Sequence, residues 1–224
     1  MNNCIYQGDC LEVMKDIPSG SVDLILCDPP YGVGASSNGV KSSIADLSLI
    51  KPFFDLAFSE CSRVLKNGKH IYINTDWRTY PLLYLLMSKY FTVRNLIVWN
   101  HKLLRMGNWY RFSYELIIFA TKGESKRQFS GAERDIFEIK PEINELPPRR
   151  LHKSQKPIEL CRKMILNSSA EGEVVLDFCC GSGSTCVAAV EENRQFIGIE
   201  LDEKYFDVAC DRVVAAQDKI YERS

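Results

Sequence analysis

The 224-residue chain predicts an α/β fold in which a mostly parallel sheet carries helices on both faces. Three observations support it. Short apolar runs alternate with amphipathic stretches along the chain, one apolar run leads through a Gly-x-Gly turn into a helix start, and another runs straight into Asp28-Pro29-Pro30-Tyr31. With 46% hydrophobic and 25% charged residues the composition is that of a folded domain, which excludes disordered and fibrous classes.

In order, residues 4–7, 22–27, 70–74, 95–100, 115–120, 174–178 and 196–199 are short and rich in Ile, Val, Leu or aromatics, as buried strands are. Residues 51–65, 79–88, 157–167, 185–192 and 203–221 are amphipathic and read as the helices between several of them. Two stretches fit neither pattern. Residues 32–49 are rich in Gly, Ser and Asn, and residues 123–151 mix charges with Pro141, Pro147 and Pro148, so both read as long loops or small insertions. Loops of that length in a compact domain are usually functional. In a parallel α/β sheet ligands gather beyond the carboxyl ends of strands, so active residues should follow strands directly.

The net charge is −1, from 28 Lys and Arg against 29 Asp and Glu, which taken whole argues against a nucleic-acid partner. Resolved by segment the balance changes. Residues 1–93 carry 8 basic and 9 acidic side chains, residues 94–156 carry 13 and 7, and residues 157–224 carry 7 and 13. A basic middle is thus set against acidic flanks, a pattern open either to an ordinary solvated surface or to an anionic partner. The longest apolar runs are too short to span a bilayer and the first ten residues have no apolar core, so a cytoplasmic location is expected. Nine cysteines are an odd count in a chain with no export signal, and reduced thiols are expected. No Cys-x-x-Cys pair exists, and His70, His101 and His152 lie far apart, so no metal site is expected.

Two constellations carry chemistry. In Val174-Val-Leu-Asp-Phe-Cys-Cys-Gly-Ser-Gly-Ser-Thr-Cys186, Gly181 and Gly183 allow a close backbone approach to a ligand, and Ser184 and Thr185 support a helix start. The following strand ends at Glu200, where a carboxylate can accept hydrogen bonds from ribose hydroxyls. Cys186 replaces the third glycine of the dinucleotide fingerprint, which disfavours NAD. In Ser21-Val-Asp-Leu-Ile-Leu-Cys-Asp-Pro-Pro-Tyr-Gly32, two prolines stiffen the turn. Asp28 offers carboxylate oxygens, the Pro29 carbonyl lacks a ladder partner, and Tyr31 offers a flat face, a set that suits a planar ring bearing an amine. An ordinary turn is the plainer alternative.

On these motifs the chain resembles the DNA amino-methyltransferases, which transfer a methyl group from S-adenosylmethionine to the N6 amine of adenine or the N4 amine of cytosine. Asp-Pro-Pro-Tyr precedes Gly-x-Gly, as in the permuted beta group, and Leu151-His-Lys-Ser-Gln-Lys-Pro157 leads into a helix before the cofactor strand. The resemblance runs from Tyr6-Gln-Gly-Asp9 to the helix around Asp207 and implies a Rossmann-like methyltransferase fold in a single catalytic domain, 1–224. It implies that Asp177, Cys179, Gly181, Gly183, Ser184 and Thr185 line the methionine side of the cofactor, that Glu200 holds its ribose, and that Asp9 lies near its adenine. It implies further that His152, Lys153, Gln155 and Lys156 close over the methionine carboxylate. Position 179 departs from the family pattern, which more often has Phe there.

The resemblance implies catalysis by Asp28, Pro29, Pro30 and Tyr31 on a base flipped out of double-stranded DNA, with Tyr31 stacking on it and no covalent enzyme intermediate. Lys102, Arg105, Arg111, Lys122, Lys126, Arg127, Arg134, Lys140, Arg149 and Arg150 are then candidates for phosphate contact. Trp109 and Tyr110 either hold the displaced base or its neighbours or pack a loop onto the core. Residues 123–151 take the place of a small target-recognition insertion, loop 32–49 shares the task, and a homodimer is a frequent arrangement in the beta group. Asp before Pro-Pro-Tyr favours adenine. Cytosine-N4 transfer, methylation of RNA or of a protein amide, and a non-catalytic module binding cofactor or DNA are the alternatives.

Overall fold

The computed structural model describes residues 2–30, 50–103, 109–125, 133–141 and 155–222. Its strands are β1 (Cys4–Gln7), β2 (Val22–Cys27), β3 (Leu65–Thr75), β4 (Thr92–Asn100), β5 (Tyr114–Thr121), β6 (Ile136–Glu138), β7 (Val174–Asp177) and β8 (Gln195–Glu200). Its helices are α1 (Cys10–Val13), α2 (Lys51–Val64), α3 (Tyr80–Met87), α4 (Ile158–Ser168), α5 (Ser184–Glu191) and α6 (Glu203–Tyr221), with a 3-10 turn over Met14–Asp16. All eight described strands form one sheet in the order β1-β8-β7-β2-β3-β5-β4-β6. Only the β3–β5 and β4–β5 pairs are antiparallel.

Strand β2 is buried along its whole length, as a central strand covered on both faces must be. Alternation divides its side chains. Ile25 and Cys27 join a core with Phe54 and Phe58 of α2 and Leu83 of α3, while Leu24 and Leu26 join a second core with Leu160 of α4, Val187 of α5 and Val213 of α6. In α2 the buried positions Phe54, Ala57, Phe58, Cys61 and Val64 recur at helical spacing and make one apolar stripe. Asp23 is the one acid in β2. It is paired with Lys66 at 2.8 Å and Lys69 at 3.5 Å and accepts from the Val174 N–H, so its burial is compensated.

The predicted helices and strands are all present, with β3 starting five residues before the expected position, directly where α2 ends. Two elements depart from expectation. Residues 136–138 lie in the stretch read as loop or insertion, yet they pair in parallel with β4 as the last strand of the sheet. Three residues are too few for an alternation pattern to register. Helix α1 is one turn capped by Asp9, whose side chain accepts from the Leu11 N–H at 2.8 Å. Among the described residues no helix is long and apolar enough to cross a membrane.

Candidate active site

From β7 the chain crosses through α5 to β8 on one side, and from β2 it continues to α2 and β3 on the other. Because β2 and β7 are neighbours, their carboxyl ends flank the point where the winding reverses, and a crevice opens there. Asp28 enters it from the end of β2, Asp177 from the end of β7 and Asn74 from β3, while Cys179, Gly181, Ser184 and Thr185 form its other side. Gln155 and Lys156, just ahead of α4, complete the lining.

The glycine turn is braced from behind. Gly181 N–H donates to Glu200 Oε2 at 2.7 Å, and the other Glu200 oxygen accepts from Asp202 N–H at 2.9 Å. Arg212 of α6 donates to the Ser182 carbonyl and hydroxyl and to the Ser184 hydroxyl, at 2.5, 3.0 and 3.3 Å. Gly183 caps α5 at φ +77°, and a Cβ there would lie 2.9 Å from Ala209 Cβ. That glycine is therefore demanded by the close approach of α6 as well as by the turn.

Asp177 accepts from the Cys179 N–H at 3.1 Å. Burial pushes its pKa up to about 6, against the lowering effect of hydrogen bonds from Thr185, the Cys179 backbone and Cys27, while the nearby charge of Asp28 adds a smaller rise. Cys179 makes side-chain contacts with Cys10 and Cys27 under the turn, and all nine cysteines are free thiols. On the opposite wall Lys156 Nζ lies 2.6 Å from Asp28 Oδ2 and 3.0 Å from Glu115 Oε2. Asn74 Nδ2 donates to the Cys27 carbonyl at 3.2 Å, one residue before Asp28. Its buried Oδ1 has no hydrogen-bond partner among the described residues.

A family model described as DNA methylase, of the N6/N4 methyltransferase type, matches residues 22–211. The chain belongs to the N6/N4 DNA methylase family. It is 30% identical to the DNA adenine methyltransferase YhdJ of Escherichia coli K12, over 95% of this chain and 83% of that protein. It is 32% identical to the type II methyltransferase M.HinfI of Haemophilus influenzae, over 94% of this chain and 68% of that one. In fold it is similar to M1.HpyAVI, solved as a complex with SAM, at a TM-score of 0.74 and 23% identity over 93% of this chain and 98% of that one.

Within this methylase fold the expected site residues separate into groups. Asp28, Gln155, Lys156, Asp177, Cys179, Gly181, Ser184 and Thr185 line one cleft. Pro29 is buried and Pro30 exposed on the turn that leaves β2. Asp9 and Glu200 stand behind the glycine turn, at the ends of the paired strands β1 and β8. Gly183 packs on α6. Tyr31, His152, Lys153 and loop 32–49 lie outside the described residues, as do Arg105, Lys126, Arg127, Arg149 and Arg150.

Lys156 stands apart from its expected role. Expected over the cofactor's carboxylate, it instead forms ion pairs with Asp28 and Glu115. Lys122 is corrected as a phosphate contact, since its ammonium is turned to the Leu65 carbonyl at 2.6 Å and burial lowers its pKa. Lys102 is exposed and pairs with Glu138 at 2.9 Å. Arg111, Arg134 and Lys140 are exposed. Trp109 and Tyr110 are 95% and 89% exposed, so the alternative that they pack a loop onto the core is overturned. Residues not anticipated are Asn74, Glu115 and Arg212 at the site, and Trp77, Arg78 and Phe112 on the surface, where the Arg78 guanidinium lies 4.7 Å from the Trp77 ring centre and 6.0 Å from that of Phe112. Asn74 ends an otherwise apolar run and Glu115 interrupts another, and a polar residue at such a position was the available signal. Arg212 sits on a helix full of charges and gave none.

Proposed function

We propose that the chain is a single-domain enzyme that transfers a methyl group from S-adenosylmethionine to the N6 amine of adenine in double-stranded DNA, after flipping the base out of the stack. The observation that carries this reading is the meeting of Asp28 and the glycine turn in one cleft at the switch point. Membership in the N6/N4 family supports amine methylation, and Asp at position 28 together with the name of the Escherichia coli relative supports adenine over cytosine.

The cleft's donor set suits the cofactor. Asp177, whose carboxylate has no cation paired with it among the described residues, would gain one in the methionine ammonium, and the N-terminal end of α5 would favour the methionine carboxylate. Glu200 would reach the ribose and Asp9 the adenine side, with His152, Lys153 and Gln155 closing the methionine end. When bound, S-adenosylmethionine supplies an electrophilic methyl on a sulfonium.

The amine of adenine is a poor nucleophile because its lone pair is delocalised into the ring. Asp28 and the Pro29 carbonyl accept hydrogen bonds from the NH2 group, which draws the nitrogen toward tetrahedral geometry and stabilises the positive charge that develops on it, and the methylated nitrogen then loses a proton to Asp28 or to water. Pro29 and Pro30 hold these acceptors in a stiff turn, so little reorganisation is needed, and Tyr31 stacks on the flipped ring. Arg78, Arg111, Arg134 and Lys140, with the exposed Trp77, Trp109 and Tyr110, provide the phosphate and stacking contacts of the DNA face. The segments 123–151 and 32–49 supply target recognition.

The test is incubation with radiolabelled S-adenosylmethionine and mixed-sequence duplex DNA, followed by digestion to nucleosides. Label in N6-methyldeoxyadenosine is expected. Label in N4-methyldeoxycytidine would overturn the adenine assignment, and cofactor and DNA binding without label would favour a non-catalytic module.

A further inference from the structure

Asn74 is a buried polar side chain, 3% exposed, that lines the cleft beside Asp28. The parallel register of β2 and β3 pairs Cys27 with Ile73, so the next residues along, Asp28 and Asn74, are neighbours. Alternation turns both to one face, because Leu26 and Tyr72, two positions back, share one core while Cys27 and Ile73 share the other. Asn74 Nδ2 donates to the Cys27 carbonyl at 3.2 Å. A carbonyl only accepts, so this contact fixes which side of the amide carries NH2. Oδ1 is then left buried without a hydrogen-bond partner among the described residues, a cost that a leucine of the same branched shape would not bring. Stability alone does not call for an amide here.

We propose that Asn74 is a positioning residue for methyl transfer, which holds the Cys27 carbonyl and so fixes the main chain from which Asp28 reaches the amine. This rests on the function proposed above. Pro29 and Pro30 carry no N–H, so the main chain beyond Asp28 has no donor for two residues with which to pair. The Asp28 carboxylate meets Lys156 at 2.6 Å, which holds the tip of the side chain. Asn74 holds the other end, the backbone. It does so from a rigid support, since β3 is paired on both sides, with β2 and with β5, and a strand places a side chain more precisely than a loop.

Asn74→Leu keeps the branched shape and removes both polar ends. At saturating cofactor and DNA, kcat should fall about tenfold or more, toward the roughly hundredfold that a misplacement of ~1 Å can cost. The KM for DNA and the S-adenosylmethionine dissociation constant, the latter read by calorimetry without turnover, should change less than about threefold. Asp28→Asn supplies the second readout. In that background Asn74→Leu should lower kcat by less than about threefold further, because a residue that acts through Asp28 has lost the group it positions. A merely structural role would lower kcat by the same factor in both backgrounds. Asn74→Ser, whose hydroxyl is too short to reach the Cys27 carbonyl, should show the same pattern and carries the test if Asn74→Leu folds poorly. An active wild type with equally active Asn74 variants, a loss confined to the KM for DNA, or an equal loss in both backgrounds overturns the inference alone. A wild type that transfers no methyl group overturns the proposed function and this inference together.

Discussion

Gly183→Ala should destabilise the protein and weaken its hold on the cofactor, through a clash whose size follows from the geometry. Gly183 lies at φ +77°, and an added Cβ would fall 2.9 Å from Ala209 Cβ, 3.1 Å from Ala209 Cα and 3.4 Å from its carbonyl oxygen. Left-handed backbone costs a side-chain-bearing residue ~1–2 kcal/mol. Overpacking against a fully buried helix backbone adds ~1–3 kcal/mol, since nothing flexible is there to yield. Together the substitution should cost ~2–5 kcal/mol. Gly172→Ala is the internal control. Gly172 has nearly the same φ, +76°, but nothing lies within 4 Å of the added Cβ, so only the backbone contribution should appear. Urea unfolding of the three proteins at matched m-values, with calorimetric titration of S-adenosylmethionine, measures both effects. If Gly183→Ala costs no more than Gly172→Ala, the close approach of α5 and α6 is not what the glycine serves, and the reasoning fails.

Asp28→Asn should lower methyl transfer by about a hundredfold or more while leaving the melting temperature and cofactor affinity near wild type, because Lys156 keeps Glu115 as a partner. Retained turnover in a DNA methylation assay would refute the role of Asp28. Asp177→Asn should stabilise the cofactor-free protein above neutral pH. The wild-type carboxyl has its pKa raised in the folded state from 3.8 to about 6, so the stability it lends is complete below 3.8 and is lost as pH rises through about 6. The loss is worth ~3 kcal/mol at most, and the substitution should remove it from a stability-versus-pH curve measured by urea unfolding. DNA affinity, measured by anisotropy across a salt series, should fall steeply with ionic strength if the exposed arginines contact phosphates; salt-insensitive binding would contradict that.

What was legible in the sequence is what has a local signature. The strand–glycine-turn–helix unit from Val174 to Thr185 could be read because backbone conformation there depends on neighbours within a few residues. The same holds for Asp28-Pro29-Pro30, where a strand must end, and for the alternating elements that define the sheet. Strand β6 escaped because three residues carry no period. The electrostatic partners escaped for a different reason. Lys156 and Asp28 are 128 positions apart, and Arg212 reaches Ser182 from 30 positions away, so neither contact leaves a mark on spacing. Lys156 was read by its place in a motif, as a group for the cofactor's carboxylate, and only the folded chain brings two acids to it. The surface pair Trp109 and Tyr110 shows the same limit, since an aromatic side chain reads alike whether it packs or projects.

The near-neutral total charge now divides by depth as well as by segment. Transfer to an amine needs negative charge beside the reacting nitrogen, while the approach of DNA needs positive charge outside. The fold meets both demands because the carboxyl ends of β2 and β7 are buried between two helical layers, and the exposed Arg78, Arg111, Arg134 and Lys140 lie on the segments that follow β3, β4, β5 and β6. Exposed cations act through solvent and are screened over ~8–10 Å at ordinary ionic strength, so they can attract phosphate without cancelling acids in the interior. Asp28, Asp177 and Glu115 are screened much less and act on whatever enters the cleft. Lys156 breaks this division, a buried cation that pairs with both Asp28 and Glu115.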